Sequence, residues 1–209
     1  MFDVNVRRRL GPVLDRVAAP LVRAGMPPLA LTLVGLVLGL AAAVAAARTA
    51  WVLALALWLL SRLADGLDGP VARLSGRASA FGGWADLMAD FAVYGAFVVG
   101  CAIGQPDARV ACLVLLATYY VNGSTLLAYS AAASEQGLTK PDTRTFFFSR
   151  GLAEGMETIV VHALMVALPT LMAPIAWTFA GAVAITIVQR VVLAARTLDR
   201  AAMTARARR

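Results

Sequence analysis

The sequence predicts an all-α, polytopic membrane protein with six transmembrane helices, preceded by an N-terminal amphipathic helix at the membrane interface. Sixty per cent of the 209 residues are hydrophobic. These residues are collected in segments of about 20 residues, which is the length that an α-helix needs to cross a bilayer. The six predicted spans are residues 28–47, 50–73, 82–104, 109–134, 149–172 and 174–197.

The segment before the first span, residues 1–27, is predicted to be a cytoplasmic interfacial helix. Its apolar residues recur at spacings of three and four among five arginines, which gives an apolar stripe on a basic helix. The segment carries too much charge to cross the bilayer. A loosely ordered basic tail is the alternative. Residues 28–198 then form the transmembrane domain, and residues 199–209 form a basic cytoplasmic tail.

Basic residues are distributed unevenly about the six spans. The chain has a net charge of +7 and 19 lysine and arginine residues, and of these only Arg48 and Arg109 fall on the side opposite the termini. Basic residues concentrate on the cytoplasmic side of membrane proteins. We therefore predict a multi-pass protein of the cell's inner membrane, with both termini and the active site on the cytoplasmic side. Topology and attraction to anionic lipid headgroups explain the excess charge, so nucleic-acid binding is not indicated.

Several residues inside the spans are predicted to serve packing. Gly35 and Gly39 stand four apart in the first span and allow close contact between helices. Cys101 and Cys112 lie in apolar surroundings, and two cysteines give neither a disulfide framework nor a cysteine-rich metal site. His162 is predicted to be a hydrogen-bonded core residue, with a ligand role as the alternative. Polar residues of the fourth span are predicted to bond between helices, with a cavity lining as the alternative: Tyr119, Tyr120, Asn122, Ser124, Thr125 and Tyr129.

Four aspartates are concentrated in the hairpin predicted between the second and third spans. Asp65 and Asp68 are three residues apart, and Asp86 and Asp90 are four apart, so each pair shares a helical face. A turn rich in glycine and serine, residues 74–81, separates the two helices. The hairpin therefore brings both pairs to the same end and lets them face each other.

Carboxylates at this depth in a membrane are costly and usually functional. Asp65 lies ~21 Å along the second span at 1.5 Å per residue, past the midplane on the cytoplasmic side. Four carboxylates repel one another unless a cation lies among them, and oxygen ligands suit Mg²⁺, Mn²⁺ or Ca²⁺ rather than Zn²⁺. Arg62, one turn before Asp65, is predicted to be the structural partner of a carboxylate, with a substrate-binding role as the alternative.

The stretch from Asp65 to Asp90 reads Asp-x2-Asp-Gly-x2-Ala-Arg-x8-Gly-x3-Asp-x3-Asp. At every defined position this resembles the signature of the CDP-alcohol phosphotransferases, integral membrane enzymes of phospholipid headgroup synthesis. The pattern of apolar segments extends the resemblance to most of the rest of the chain. The resemblance implies that residues 28–198 form a catalytic domain and that the protein is a homodimer.

The resemblance gives each aspartate a role. Asp65, Asp68 and Asp86 would hold Mg²⁺ or Mn²⁺, with two ions expected. Asp90 would be the general base that takes a proton from the acceptor, and it is also a candidate metal ligand.

The resemblance also implies where the nucleotide binds. The small residues Gly69, Ala72 and Gly82 would make room for the CDP group, and the Arg73 guanidinium is suited to its diphosphate. Many family members begin the first span with Pro-Asn-x-x-Thr, whereas here Leu29 replaces the asparagine. Thr32 keeps its hydroxyl, which either contacts the nucleotide or bonds to its own backbone.

Charged residues at the inner ends of the last spans are predicted to border the acceptor pocket. Alternatively, Arg150 and Glu154 form an ion pair at a helix start, and Arg190 extends to the headgroups. The fourth span ends without the basic residues expected of family members that use inositol phosphate. Glycerol phosphate, serine or another alcohol therefore stays open as the acceptor. The candidates are Lys140, Arg144, Arg150, Glu154 and Arg190.

The sequence thus predicts a metal-dependent enzyme that transfers a phosphatidyl group from CDP-diacylglycerol to the hydroxyl of a small polar alcohol and releases CMP. One alternative is a relative that uses a water-soluble CDP-alcohol or a lipid acceptor. A cation transporter, the alternative from another class, would be expected to hold its carboxylates near the midplane between broken helices.

Overall fold

The computed structural model describes the backbone of residues 2–135 and 155–207, and the side chains of residues 11–135 and 155–198. The elements in these ranges are all helical, which confirms the predicted all-α class. Short 3-10 turns, Pro106–Ala108 and Pro169–Leu171, precede the fifth and seventh helices. The helices are α1 (Phe2–Arg23), α2 (Pro28–Ala47), α3 (Trp51–Leu74), α4 (Ala80–Gly104), α5 (Arg109–Glu135), α6 (Gly155–Ala167) and α7 (Met172–Ala207).

Four described segments are long and apolar enough to cross a membrane. With 24 residues, α3 is also long enough to cross a bilayer, but its second half carries Arg62, Asp65 and Asp68. The described part of α6 has only 13 residues, and residues 149–154 of the predicted fifth span lie outside the described ranges. The structure therefore supports four of the six predicted spans on length and composition. They are Pro28–Ala47, Ala80–Gly104, Pro106–Glu135 and Pro169–Leu198.

The end predicted for the fifth span is wrong. We expected the helix to continue to residue 172, but α6 ends at Ala167 and a 3-10 turn begins at Pro169. Proline disfavours the α conformation of the residue before it, so the helix stops ahead of Pro169.

Close contacts between glycines and neighbouring helices hold α2, α3 and α4 together. A Cβ atom added to Gly35 would lie 3.3 Å from the backbone oxygen of Ser61 in α3, and one added to Gly39 would crowd Val93 in α4. A Cβ atom at Gly100 would collide with the backbone oxygen of Ala43. The predicted packing role of the first-span glycines is thus confirmed, and α4 contributes glycines of its own.

Trp58 lies at the centre of the core, where α3, α4 and α6 meet. Its ring centroid is 4.4 Å from that of Phe97 and 4.9 Å from that of His162. Its indole N–H donates to the backbone oxygen of Ile159 at 3.1 Å. His162 is fully buried, and its Nε2 is 2.9 Å from the Tyr119 hydroxyl. The predicted hydrogen-bonded core histidine is confirmed.

Polar side chains of α5 connect it to α6 and α7. Tyr119 contacts His162, Asn122 accepts from the Arg190 guanidinium at 2.9 Å, and the Thr197 hydroxyl lies 3.3 Å from that of Tyr129. For these three residues of α5, the predicted bonding between helices is confirmed. Cys101 and Cys112 are buried and not disulfide-bonded, as predicted.

The second half of α1 rests on the neighbouring ends of α2 and α3. Ala18 is fully buried in a small apolar cluster with Leu31, Leu67 and Val71. Val13 and Val17, on another side of the same helix, are about half exposed. Helix α1 therefore has one apolar face against the protein and a second available to lipid, and its position in the membrane interface stays a prediction.

Candidate active site

A tight helical hairpin positions the carboxylates. α3 ends at Leu74, α4 begins at Ala80, and Gly76 in the connection has a φ of +67° that favours glycine. The Ser79 hydroxyl accepts from the backbone N–H of Gly82 at 3.0 Å and caps the start of α4. The predicted hairpin between the second and third spans is confirmed.

Three of the four aspartates converge at this hairpin. Asp65, Asp86 and Asp90 each place one carboxylate oxygen within 4.8 Å of the other two. All three side chains are partly buried. Carboxylate oxygens at this spacing could hold a hard divalent cation.

Asp68 lies outside that group of three and is tied to α2. Its side chain is buried, and its Oδ2 accepts from the Thr32 hydroxyl at 2.5 Å. The Thr32 hydroxyl is also 3.5 Å from the backbone oxygen of Pro28. A hydroxyl has one hydrogen to donate, and the shorter contact makes Asp68 its main partner. Thr32 therefore contacts a predicted metal ligand and bonds only weakly to its own backbone.

A buried arginine stands among the carboxylates. Nη1 of Arg62 is 2.5 Å from Oδ1 of Asp90 and 3.5 Å from Oδ2 of Asp65. The guanidinium carbon lies 5.2 Å from the ring centroids of both Trp58 and Tyr94. The predicted role of Arg62 as the structural partner of a carboxylate is confirmed, and it serves two carboxylates.

The residues predicted to bind the nucleotide lie on both arms of the hairpin. Gly69 and Ala72 are partly buried near the end of α3, and Arg73 is exposed beside them. A Cβ atom at Gly69 would lie 3.2 Å from Nη1 of Arg73, so the guanidinium passes over this glycine. Gly82 is in the first turn of α4. Nucleotide binding by these residues stays a prediction.

Among the acceptor candidates, the structure describes Arg190. Its side chain is buried, and Nη1 donates to the side-chain oxygen of Asn122 at 2.9 Å and to its backbone oxygen at 3.3 Å. Extension of Arg190 to the headgroups, one of the two alternatives, therefore does not fit. The other candidates lie outside the described residues: Lys140, Arg144, Arg150 and Glu154.

The sequence pattern did not predict the residues that fix Arg62 in place. Ser61, Trp58 and Tyr94 surround the guanidinium. Helical spacing carried a signal for two of them, since Trp58 stands four residues before Arg62 and Tyr94 stands four residues after Asp90.

The fold and the site together define a class of protein: a membrane protein with carboxylates gathered on a helical hairpin. The CDP-alcohol phosphatidyltransferase family model matches residues 26–192, and the chain belongs to this family. The inner membrane protein YnjF of Escherichia coli (strain K12) is 34% identical over 167 residues, which cover 78% of this chain and 81% of that protein.

Solved structures of phosphatidylinositol phosphate synthase PgsA1 from Mycobacterium tuberculosis have a similar fold. The complex of PgsA1 with manganese and citrate gives a TM-score of 0.69 at 23% identity, over 87% of this chain and 88% of that one. The structure of PgsA1 with CDP-DAG bound also gives 0.69 at 23% identity, over 88% of this chain and 94% of that one. At this identity the similarity establishes a shared fold.

Proposed function

We propose that the protein transfers a phosphatidyl group from CDP-diacylglycerol to the hydroxyl of a small polar alcohol, with release of CMP, in phospholipid synthesis. The observation that carries the proposal is the convergence of Asp65, Asp86 and Asp90 at the hairpin that bears the complete family spacing. Family membership supports the reaction class. PgsA1, which shares the fold and was solved with CDP-DAG bound, supports the donor.

The carboxylates fit Mg²⁺ or Mn²⁺. Oxygens of Asp65, Asp86 and Asp90 lie within 4.8 Å of one another, and hard divalent cations prefer oxygen ligands. PgsA1 in complex with manganese supports the same kind of ion. We assign metal binding to Asp65, Asp68 and Asp86, with Asp90 as a further candidate ligand and two ions as the expected number. Metal bound there would supply positive charge to the diphosphate of the donor.

We assign proton transfer and nucleotide binding to other residues of the hairpin. Asp90 takes the proton from the acceptor hydroxyl, whose oxygen bonds to the β-phosphorus as the bond to CMP breaks. Gly69, Ala72 and Gly82 leave room for the nucleotide. Arg73, exposed beside Gly69, binds the diphosphate through its guanidinium.

The proposal includes topology and assembly. Six spans place both termini and the hairpin on the cytoplasmic side of the inner membrane, where the polar acceptor is dissolved. The distribution of the 19 basic residues supports this orientation, and the family resemblance supports a homodimer. Glycerol phosphate, inositol phosphate and serine are the acceptors to test first. Arg190 and the charged residues of 140–154 are the candidates for contact with them.

A CMP-release assay with lipid products measured by mass tests the proposal. The purified protein is given CDP-diacylglycerol with one acceptor at a time. We expect CMP and a matching phospholipid with one acceptor, and loss of both in Asp65→Asn. Asp107→Asn is the matched control, because Asp107 is exposed in the turn before α5. CMP release only from a water-soluble CDP-alcohol, or only with a lipid acceptor, would support the alternative relative. Mn²⁺ uptake into liposomes without any CMP release would support the transporter.

A further inference from the structure

We propose that Asn122, in α5, is a positioning residue for the acceptor: it holds the guanidinium of Arg190, in α7, as a fixed positive charge at the depth of the active site. That charge favours acceptor alcohols that carry an anionic group, either a phosphate or a carboxylate. The inference rests on the proposed function, in which Arg190 is a candidate for contact with the acceptor. Asn122 acts through Arg190 and is assigned no contact with substrate.

The contact between the two side chains is the first argument. Nη1 of Arg190 donates to the side-chain oxygen of Asn122 at 2.9 Å and to its backbone oxygen at 3.3 Å. A planar guanidinium bonded to two oxygens of one residue has little freedom to turn. Arg190 is buried, so its positive charge lies against α5 and not among the headgroups. Asn122 therefore determines where this charge is.

The second argument is that both oxygens of Asn122 are neutral. A carboxylate in this place would offset the charge of the guanidinium, as Asp65 and Asp90 do for Arg62. An amide oxygen orients the guanidinium of Arg190 and leaves its charge as it is. At a buried position the effective dielectric constant is low, so a unit charge acts more strongly on a nearby anion than it would in water. The bond to Asn122 thus suits a charge that serves a ligand.

Packing between α4 and α5 gives the third argument, because it sets the depth of the pair. Gly123, the neighbour of Asn122, packs against Phe91, the neighbour of Asp90. A Cβ atom added to Gly123 would lie 3.3 Å from the ring of Phe91. Asn122 and the guanidinium that it holds are therefore at the level at which the Asp90 carboxylate projects from α4.

Contacts one turn away give the same alignment. Tyr94, four residues after Asp90, has its ring centroid 5.8 Å from that of His162. Tyr119, three residues before Asn122, has its hydroxyl 2.9 Å from Nε2 of the same histidine. Because α4 and α5 are joined by a short turn and run in opposite directions, the two tyrosines lie at one level. Asp90 and Asn122 then share the next level toward the α3–α4 turn.

The test measures acceptor binding by titration calorimetry on purified wild type, Asn122→Leu and Asn122→Asp. The probes are glycerol 3-phosphate, inositol 1-phosphate and serine, one at a time. Asn122→Leu removes the oxygen that holds Arg190, whereas Asn122→Asp keeps an oxygen there and adds a negative charge. Both variants should weaken binding of the probe that the wild type binds best by about tenfold or more, the scale of a hydrogen bond to a charged group.

Tyr129→Phe is the matched control. It removes another polar contact between α5 and α7, because the Tyr129 hydroxyl lies 3.3 Å from that of Thr197. This variant should bind the probes within about threefold of the wild type, as expected for an independent site. CDP-diacylglycerol should bind to all four proteins within the same range, since Asn122 acts on the acceptor alone. In the CMP-release assay, the Asn122 variants should raise KM for the acceptor with little change in kcat.

Wild-type probe binding by either Asn122 variant would overturn the proposal, and so would a wild type that binds none of the three probes. An equal loss in Tyr129→Phe would show that the contact only holds the helices together, which also overturns it. If Asn122→Leu does not fold in a thermal unfolding check, Asn122→Asp, which keeps an oxygen for Arg190, decides. A wild type that binds a probe but releases no CMP would refute the proposed function and leave this inference standing.

Discussion

The hydroxyl of Thr32, in the first turns of α2, lies 2.5 Å from Oδ2 of Asp68 in α3. Both side chains are buried. This bond joins a threonine at the start of the first span to the second aspartate of the family spacing. The bond fixes the carboxylate of Asp68, and we predict that Thr32 serves the nucleotide site indirectly, through this carboxylate.

The first prediction concerns this bond. Thr32→Val keeps the shape of the side chain and removes the hydroxyl that donates to Asp68. Hydrogen bonds to charged groups contribute about 1.5–3 kcal/mol, so kcat/KM for CDP-diacylglycerol should fall by roughly 10- to 100-fold. Thr32→Ser keeps the hydroxyl and should stay within about threefold of the wild type. Equal activity of Thr32→Val and Thr32→Ser would show that the bond has no role in turnover.

A second prediction concerns metal dependence. Because the site offers carboxylate oxygens, activity should vanish in excess EDTA and return with Mg²⁺ or Mn²⁺. Asp65→Asn and Asp86→Asn should each lose Mn²⁺ binding, measured by titration, whereas Asp107→Asn should bind as the wild type does. Full turnover in excess EDTA would contradict a metal-dependent mechanism.

The third prediction separates Asp90 from Asp65. If Asp90 removes the acceptor proton, Asp90→Asn should bind CDP-diacylglycerol nearly as well as the wild type. Its turnover should fall by a factor on the order of 10² to 10⁴, the usual contribution of a general base. Asp65→Asn should instead weaken donor binding. The measurements are a donor titration beside a CMP-release assay, with thermal unfolding as a check on the fold. Equal loss of donor binding in the two variants would make Asp90 chiefly a ligand.

Topology gives the fourth prediction. Cys101→Ala and Cys112→Ala provide a background without thiols, and single cysteines then replace Asp107 or Arg77, both exposed. In intact cells an impermeant thiol reagent should label position 107, between α4 and α5. It should not label position 77, in the α3–α4 turn, because the basic residues put that turn inside. The opposite labelling pattern would overturn the proposed orientation.

The fifth prediction tests the packing of α2 against α4. Gly100→Ala should lower the melting temperature in detergent, because its Cβ would collide with the backbone oxygen of Ala43. Forcing a methyl group into a packed contact costs about 1–3 kcal/mol. Gly95→Ala, in the same helix, meets only a carbon of Leu116 at 3.8 Å and is the matched control. A similar change in both variants would contradict the close approach of the two helices.

The spacing of the aspartates predicted the hairpin, and the structure brings three of the four together. The spacing did not predict that the Asp68 side chain would turn toward α2. Residues three apart on a helix point about 60° away from each other, so Asp65 and Asp68 share a face only approximately. The neighbouring helices determine which partners the two aspartates have. α4 brings Asp86 and Asp90 toward Asp65, and α2 brings Thr32 to Asp68.

Composition predicted the helical class and four of the spans, but it gave less information on α3 and α6. Hydropathy separates a span from a surface helix by the absence of charge, and α3 carries its functional charges inside the helix. The surroundings of Arg62 were also beyond the sequence pattern. They depend on which helices meet at Trp58, and this is a tertiary property.

Helix α7 has consequences for any group attached after it. It runs for 36 residues, which is about 54 Å at 1.5 Å per residue. The hydrocarbon core of a bilayer is about 30 Å thick, so even a strongly tilted α7 extends beyond the core by several turns. A fluorescent label placed after Ala207 would thus be held by a rigid helix, and the length and tilt of that helix would fix its distance from the lipid. Energy transfer from that label to a dye in the membrane would therefore report a narrow range of label–dye distances.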